Sequence, residues 1–477
     1  MIKLTHTYGI RLLYLVPALL LVSCINGDSS SNEMYLGGQI INPTFKNASF
    51  LAGDRQIAKT PLDTANRFHF ALGEIPAGLY HFRSGEEQSL YLEPGDSLLL
   101  RVNTNKFDES ISFSGKGAKR NDFLMQLFLL TEEVNEHLVQ QRAYSSAPRE
   151  FRDMLISSKV SNQSKWKRFR EKNKVSDAFA EIVQIILDYE NYARLEVYPL
   201  TGLRGVPAQV LEQLPEDFYA YREEVNFNIE QAISLYSYQR FLNNYFNHKA
   251  FTAASKDGRE YDASSFSHNL MKMREINSNI KNDSVKNFML QRVVRDYLMN
   301  SNDKKGGEML YEFYNEHANS TFYKNQIERL YHNNANIEAG KRLPKIKVEG
   351  YLSKDTLLPE LINRPSVLFF WKTARQQHTH SIHQRIEKIK KHFPEFDYIG
   401  ICLDREPKNW KHYLKKHPDF AKTAYHIDER LGDVRERLSL NSILKTFIVD
   451  KNGIIVNGHA NAFSSDFEEE LLALLNR

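Results

Sequence analysis

The chain has 477 residues, of which 42% are hydrophobic and 26% charged, so it can bury ample core and is not a disordered chain; at ~150 residues per domain it is long enough for about three. Basic and acidic residues nearly balance, 63 against 59, for a formal net charge of +4, and this argues against nucleic acid as a partner. Cys24 and Cys402 are the two cysteines. Two cannot build a disulfide framework, and stability must come from packing.

The first segment reads as an export signal. Lys3 and Arg11 open it, and Leu12 to Val22 is an apolar run too short to span a bilayer. Without those two cations the balance falls from 63 to 61 basic residues against 59 acidic ones, a mature charge near +2. Leu21-Val22-Ser23-Cys24 resembles the bacterial lipobox, in which the cysteine is acylated and becomes the new N-terminus. The resemblance implies removal of residues 1–23, lipidation at Cys24 and a polar tether over 24–33. Several acyl chains at ~0.8 kcal/mol per buried methylene would hold such a chain to a membrane permanently. The expected setting is the cell envelope, on the outer membrane, with either face open, the membrane being one partner and an envelope protein the other.

From residue 34 to 117 the pattern is β-like. Short runs at Tyr35 to Ile41, Phe68 to Leu72, Leu79 to Phe82, Ser89 to Leu92 and Ser97 to Val102 lie between turn residues such as Pro43, Gly53, Pro76, Gly78, Pro94 and Gly95. They predict a small antiparallel sandwich. From 118 to 336 the period becomes helical. Phe123, Leu127, Leu130, Val134 and Leu138 share one face, and Ile182, Ile186, Tyr189, Ala193 and Val197 another, with Asp177 as cap and Pro199 as stop. Tyr219, Tyr221, Tyr236, Tyr238, Tyr245 and Phe246 could line a groove, but at helical spacing they read as core. Glu132 and Glu133 read as a solvated face.

From 340 to 477 short apolar runs alternate with amphipathic segments. The pattern predicts strands at Ser366 to Trp371, Phe396 to Leu403 and Thr423 to Ile427, helices at Gln377 to His392, Trp410 to His417 and Glu429 to Leu438, then a hairpin of Thr446 to Val449 with Ile454 to Val456 and a helix ending at Leu475. This order predicts an α/β sheet of mixed direction. The chain as a whole is therefore read as multidomain: an N-terminal β-sandwich-like domain, an all-α middle region and a C-terminal α/β domain.

Particular residues carry a family resemblance. Gly340, Leu343-Pro344 and Arg364-Pro-Ser-Val-Leu-Phe-Phe-Trp371, with Leu444-Lys-Thr-Phe-Ile-Val-Asp450 and Gly453, resemble the TlpA/ResA-type thiol-disulfide oxidoreductases, of thioredoxin-like fold. Tyr91-Leu-Glu-Pro-Gly-Asp96 and Ser112-Phe-Ser-Gly115 with Asn121 are similar to the β-rich leader of such lipoproteins in Bacteroidota. Aligning the family's Trp-Cys-x-x-Cys from Trp371 puts Ala374 at the second tryptophan and Arg375 and His378 at the two cysteines. Leu444 stands at the cis-proline position, where a cis bond would cost ~3 kcal/mol, and Phe369 at a position some relatives keep polar. The resemblance thus implies a redox-inactive relative, retained as a binding or scaffold module, because the chemistry needs an exposed low-pKa thiolate with a second thiol beside it. The alternative is an envelope thiol-disulfide oxidoreductase or peroxide-handling enzyme working through Cys402 or a partner's cysteines. Cys402 lies inside an apolar run and reads as a structural thiol.

Other chemistry is thinly represented. His378, His380, His383 and His392 do not share a tight helical face, so metal is not expected. With no P-loop, GxGxxG or GxSxG, neither is a cofactor. Lys372, Arg375 and His378 cluster where the fold would present a helix N-terminus, so a small anion site there is a candidate.

Overall fold

The computed structural model describes residues 32–43, 45–201, 207–255, 262–351, 355–373, 375–404, 407–440 and 442–476. The leader and Cys24 lie outside them. Eight strands open the fold: β1 (Met34–Ile41), β2 (Asn47–Ala52), β3 (Arg55–Pro61), β4 (Arg67–Gly73), β5 (Gly78–Ser84), β6 (Glu86–Leu92), β7 (Ser97–Asn103) and β8 (Ser112–Lys116), with the single-turn helix α1 (Phe107–Ser110) between the last two. They form two four-stranded sheets, ordered β4-β1-β7-β8 and β3-β2-β5-β6. Alternation seals them: Phe68 and Phe70 point inward from β4 while Arg67 and His69 point out, and Phe68 stacks on Phe82 of the other sheet at 4.7 Å. The sandwich is not wholly antiparallel, because β1 runs parallel to β7, Tyr35 opposite Ser97 through Ile41 opposite Asn103.

The helical middle comprises α2 (Ala118–Gln140), α3 (Pro148–Lys172), α4 (Asp177–Thr201), α5 (Pro207–Glu212), α6 (Tyr236–Ser255), α7 (Phe266–Asn279), α8 (Asp283–Asn300), α9 (Lys304–His317) and α10 (Thr321–Asn334). The central helix α4 is buried almost all round, so its apolar positions are not confined to the expected stripe. Its cap is Ser176 rather than Asp177, the Ser176 hydroxyl accepting from the Phe179 amide at 3.1 Å. Pro199 lies inside the helix and does not end it until Thr201, since near a C-terminus a proline costs only one backbone bond. Leu130 is only half-buried at the edge of the α2 stripe. Of the six aromatics read as core, Tyr238, Tyr245 and Phe246 are buried and Tyr219 and Tyr221 half-buried, but Tyr236 is 68% exposed. The β and helical regions share packing. Tyr91 of β6 sits on Phe179 at 5.0 Å, and the Asn121 side chain brackets its backbone, accepting from the amide at 2.8 Å and donating to the carbonyl at 2.9 Å.

The C-terminal region holds β9 (Lys347–Gly350), β10 (Thr356–Leu357), β11 (Ser366–Trp371), α11 (Gln376–His392), β12 (Asp397–Cys402), α12 (Pro407–Lys416), β13 (Ala424–Ile427), α13 (Leu431–Arg437), β14 (Lys445–Val449), β15 (Ile455–Asn461) and α14 (Phe467–Leu475). Seven strands make one sheet, ordered β10-β9-β13-β12-β11-β14-β15. Strands β11, β12 and β13 are parallel, while β14, β15 and β9 run against their neighbours. Every residue of β11 is buried, as a continuous apolar run should be when helices cover both faces. Leu368 and Phe370 enter one core, and Val367, Phe369 and Trp371 the other, where Ile382, Ile386 and Ile389 of α11 meet them. This region docks on the helices partly through His459 of β15, whose Nδ1 donates to the Met299 carbonyl at 3.1 Å.

Candidate functional site

The central strand β11 leads through a short turn into α11. Trp371 is fully buried, and the chain then passes through Lys372 and Thr373 to Arg375, the residue preceding helix α11. Two long-range bonds hold that turn. The Thr373 amide and hydroxyl both donate to the Asp404 carboxylate, at 3.2 and 2.6 Å, and Asp404's carbonyl accepts from His426 Nε2 at 2.8 Å. Inside the turn, the Arg375 amide and the Thr379 hydroxyl donate to the Lys372 carbonyl at 3.0 and 2.6 Å.

Arg375 and His378 thus stand at the cap and in the first turn of the helix that follows the central strand. Arg375 is exposed, and no side chain caps the helix. His378 is half-buried; a carbonyl can only accept, so its Nε2 carries the proton donated to Phe370 at 3.2 Å. That bond turns the imidazole back toward β11, and of the three residues of the anion reading Arg375 is the most open to solvent. Lys372, half-buried, contributes a positive field at Cys402.

Leu444 arrives from the other side, on the loop into β14, and is 43% exposed. Lys445 pairs with Asn461 across the β14–β15 hairpin, and two residues further on Phe463, 41% exposed, faces the His378 ring at 6.3 Å. His378 and Phe463 thus face each other, Arg375 stands three residues before His378 at the start of α11, and Leu444 lies next to Lys445 on the adjoining hairpin. The other histidines are scattered in role. His383 is buried, its Nδ1 donates to the Thr379 carbonyl at 2.7 Å, and burial lowers its pKa to about 4. His392, on the exposed end of α11, faces Glu468 at 3.4 Å.

Cys402 ends β12 opposite Trp371 and is fully buried. Burial pushes its thiol well above the ordinary range, and the Asp404 carboxylate adds to the effect. A thiol so placed is a poor nucleophile.

Two groups here escaped sequence reasoning. Lys445 is 6% exposed; its ammonium donates to the Ser439 carbonyl at 2.9 Å, and burial lowers its pKa to about 7. His459, lowered to about 4 by burial and then by Lys445, lines the same small cavity of about 60 Å³ with Met299, Asn300 and Leu444. The observed strand starts at Lys445 rather than Thr446, and alternation puts Lys445 on the face of Phe447 and Val449, the signal from which its burial could have been read.

A parallel β-α-β unit, a closing antiparallel hairpin and a final helix define a thioredoxin-like α/β domain. The family comparison agrees, since residues 363–455 match the model of a thioredoxin-like family. Among solved structures, the thioredoxin domain of a thiol-disulfide oxidoreductase from Bacteroides vulgatus is 17% identical, covering 29% of this chain and 98% of its own, with a TM-score of 0.24. A thiol:disulfide interchange protein from Bacteroides sp. is 18% identical over 30% of this chain and 93% of its own, TM-score 0.23. A thioredoxin-like protein from Bacteroides caccae is 13% identical over 57% of this chain and 95% of its own, TM-score 0.37. No curated protein matches.

Proposed function

We propose that the thioredoxin-like domain is redox-inactive and serves as a binding module of an envelope protein anchored through acylated Cys24. The observation that carries this reading is the placement of sulfur. Arg375 and His378 occupy the cap and first turn of α11, and the domain's only cysteine, Cys402, is buried with its thiol pKa raised. Dithiol exchange needs a thiolate that solvent can reach and a resolving thiol beside it. In place of that pair the start of α11 carries the exposed Arg375 guanidinium, with the exposed Phe463 facing His378 three residues further on. A cation with flanking apolar area suits a partner segment carrying a carboxylate and an aliphatic or aromatic side chain. An enzyme working through Cys402 would first have to open the β12 edge of the α11 core.

That requirement supplies the test. Cys402 in the native chain is expected to resist an aromatic disulfide reagent, reacting only at the rate of unfolding and fully once denatured. Rapid stoichiometric reaction of the folded chain, lost in Cys402→Ser, would return the peroxide-handling and thiol-exchange readings to the front.

A further inference from the structure

The densest charge on the molecule lies far from this corner in sequence. Between Lys165 and Lys174, six basic residues face one acidic residue, Glu171. Trp166 and Phe169 of the same stretch pack on Phe123 at 5.3 and 4.3 Å, so the end of α3 turns its aromatics inward, while Lys167, Arg168, Arg170, Lys172 and Lys174 are exposed.

Across a cavity of about 340 Å³ from Lys172 and Lys174 lies the turn from β8 into α2, carrying Lys116, Lys119 and Arg120. No acidic side chain lines this cavity. Arg120 is neutralised by Glu93 at 3.1 Å and by Asp96, but Lys116, Lys119, Lys172 and Lys174 have no ion pair among the described residues. Gly117 and Ala118, where α2 begins, line the same cavity. The helix cap is Gly117 at φ +100°, with no side-chain acceptor, because a Cβ there would stand 2.8 Å from an Asp96 carboxylate oxygen. Four unpaired ammonium groups beside a positive helix end repel one another within a Debye length, and an anionic surface relieves that repulsion.

A second observation gives the surface its occupant. The chain enters the fold at this corner. Asn32's carbonyl accepts from the Gly95 amide at 3.1 Å, Tyr35's amide donates to the Asp96 carbonyl at 2.9 Å, Asp96's carboxylate holds Arg120, and Ser97 pairs with Lys116. Asn32 is eight residues from Cys24, a span of at most ~29 Å when fully extended. We propose that the basic corner of Lys116, Lys119, Lys172 and Lys174 docks on the phosphate-bearing headgroups of the membrane to which the Cys24 anchor ties the chain. The inference rests on the anchoring reading. The tether holds the lysines at high effective concentration over the bilayer, so a patch that binds the free chain with modest affinity holds the anchored one firmly against the surface.

The experiment uses the mature chain from residue 24 with Cys24→Ser, which cannot be acylated, and vesicles of phosphatidylcholine alone or with phosphatidylglycerol. Sedimentation should show binding to the anionic vesicles only, weakening as salt rises. The combined variant Lys116→Gln, Lys119→Gln, Lys172→Gln, Lys174→Gln should lose roughly a thousandfold in affinity while keeping its circular dichroism. Lys388→Gln, Lys390→Gln, Lys391→Gln, Lys415→Gln removes the same charge from exposed positions on α11 and α12, and should change binding little. Equal binding to both vesicles, equal loss in both variants, or saturation by inorganic phosphate without vesicle binding would overturn the proposal. Fatty-acid labelling that vanishes in Cys24→Ala tests the anchor separately, so either reading can fail without the other.

Discussion

Introducing Arg375→Cys together with His378→Cys is expected to yield a chain that forms one intramolecular disulfide under mild oxidation. The two positions are three apart, at the cap and in the first turn of α11, so one thiol would meet the free amides at the helix start while the other stands a turn above it. A thiolate at a helix N-terminus is favoured by the dipole. The change also removes the exposed Arg375 cation and the His378 bond to the Phe370 carbonyl, which stabilises the fold by about 1 kcal/mol. The fold should survive that loss, because the turn is also held by Thr373 on Asp404 and Thr379 on the Lys372 carbonyl. Mass spectrometry before and after oxidation reads the result as the loss of two hydrogens and of both reactive thiols. A folded double variant that never closes the bond would show that Arg375 and His378 do not occupy the positions the family's cysteines hold.

Glu196→Ala is expected to destabilise the chain by about 3 kcal/mol or more, the scale for breaking a buried charge pair. Glu196 is fully buried in α4. Its carboxylate accepts from Arg222 at 2.6 and 2.8 Å, from His248 Nδ1 at 2.7 Å and from the Tyr221 hydroxyl at 2.5 Å. Burial on its own would raise its pKa, but the hydrogen bonds and charges of His248 and Arg222 outweigh burial, and the pKa is lowered. Truncation leaves the Arg222 guanidinium, stacked 3.8 Å from the Tyr219 ring, without its counter-ion. The sign with pH follows. A carboxyl whose folded pKa lies below its unfolded one contributes stability above the unfolded value, and that contribution disappears as pH falls through the folded one. Urea midpoints measured at neutral pH and at acidic pH should therefore differ between wild type and Glu196→Ala most at neutral pH, and converge in acid. A neutral-pH difference under ~1 kcal/mol would mean that Arg222 finds water or another acceptor at little cost.

What could be read from the sequence divides along physical lines. Strand β11 was legible residue for residue because a central strand covered on both faces must be apolar throughout, and Cys402 was legible as buried for the same reason. Strand β3 was not, since Arg55–Pro61 is an edge strand with six of its seven side chains polar, charged or exposed and no alternation to detect. The parallel pairing of β1 with β7 was equally hidden, because alternation reports which face a residue occupies and not the direction of its neighbour. At the candidate site, Arg375, His378 and Leu444 could be named in advance only through the family resemblance, the first two by counting its motif from Trp371 and the third as its cis-proline position. Asp404, which fixes the turn from 31 residues away, could not, since nothing local marks a carboxylate as the acceptor for Thr373. Lys445 was passed over because lysine argues for solvent and the strand was read from Thr446, whereas β14 begins at Lys445 and its alternation argues for the core. The core prevailed, and its ammonium, with a lowered pKa, donates to the Ser439 carbonyl and lies over the Phe447 ring.

The most direct test of the central claim is reduction of insulin disulfides by the mature chain in the presence of dithiothreitol, run beside Cys402→Ser and a buffer blank. The wild-type chain is expected to precipitate insulin no faster than the blank, and Cys402→Ser no slower than wild type. Turnover above the blank that Cys402→Ser abolishes would show that the buried thiol is reached and used, and would contradict a redox-inactive module.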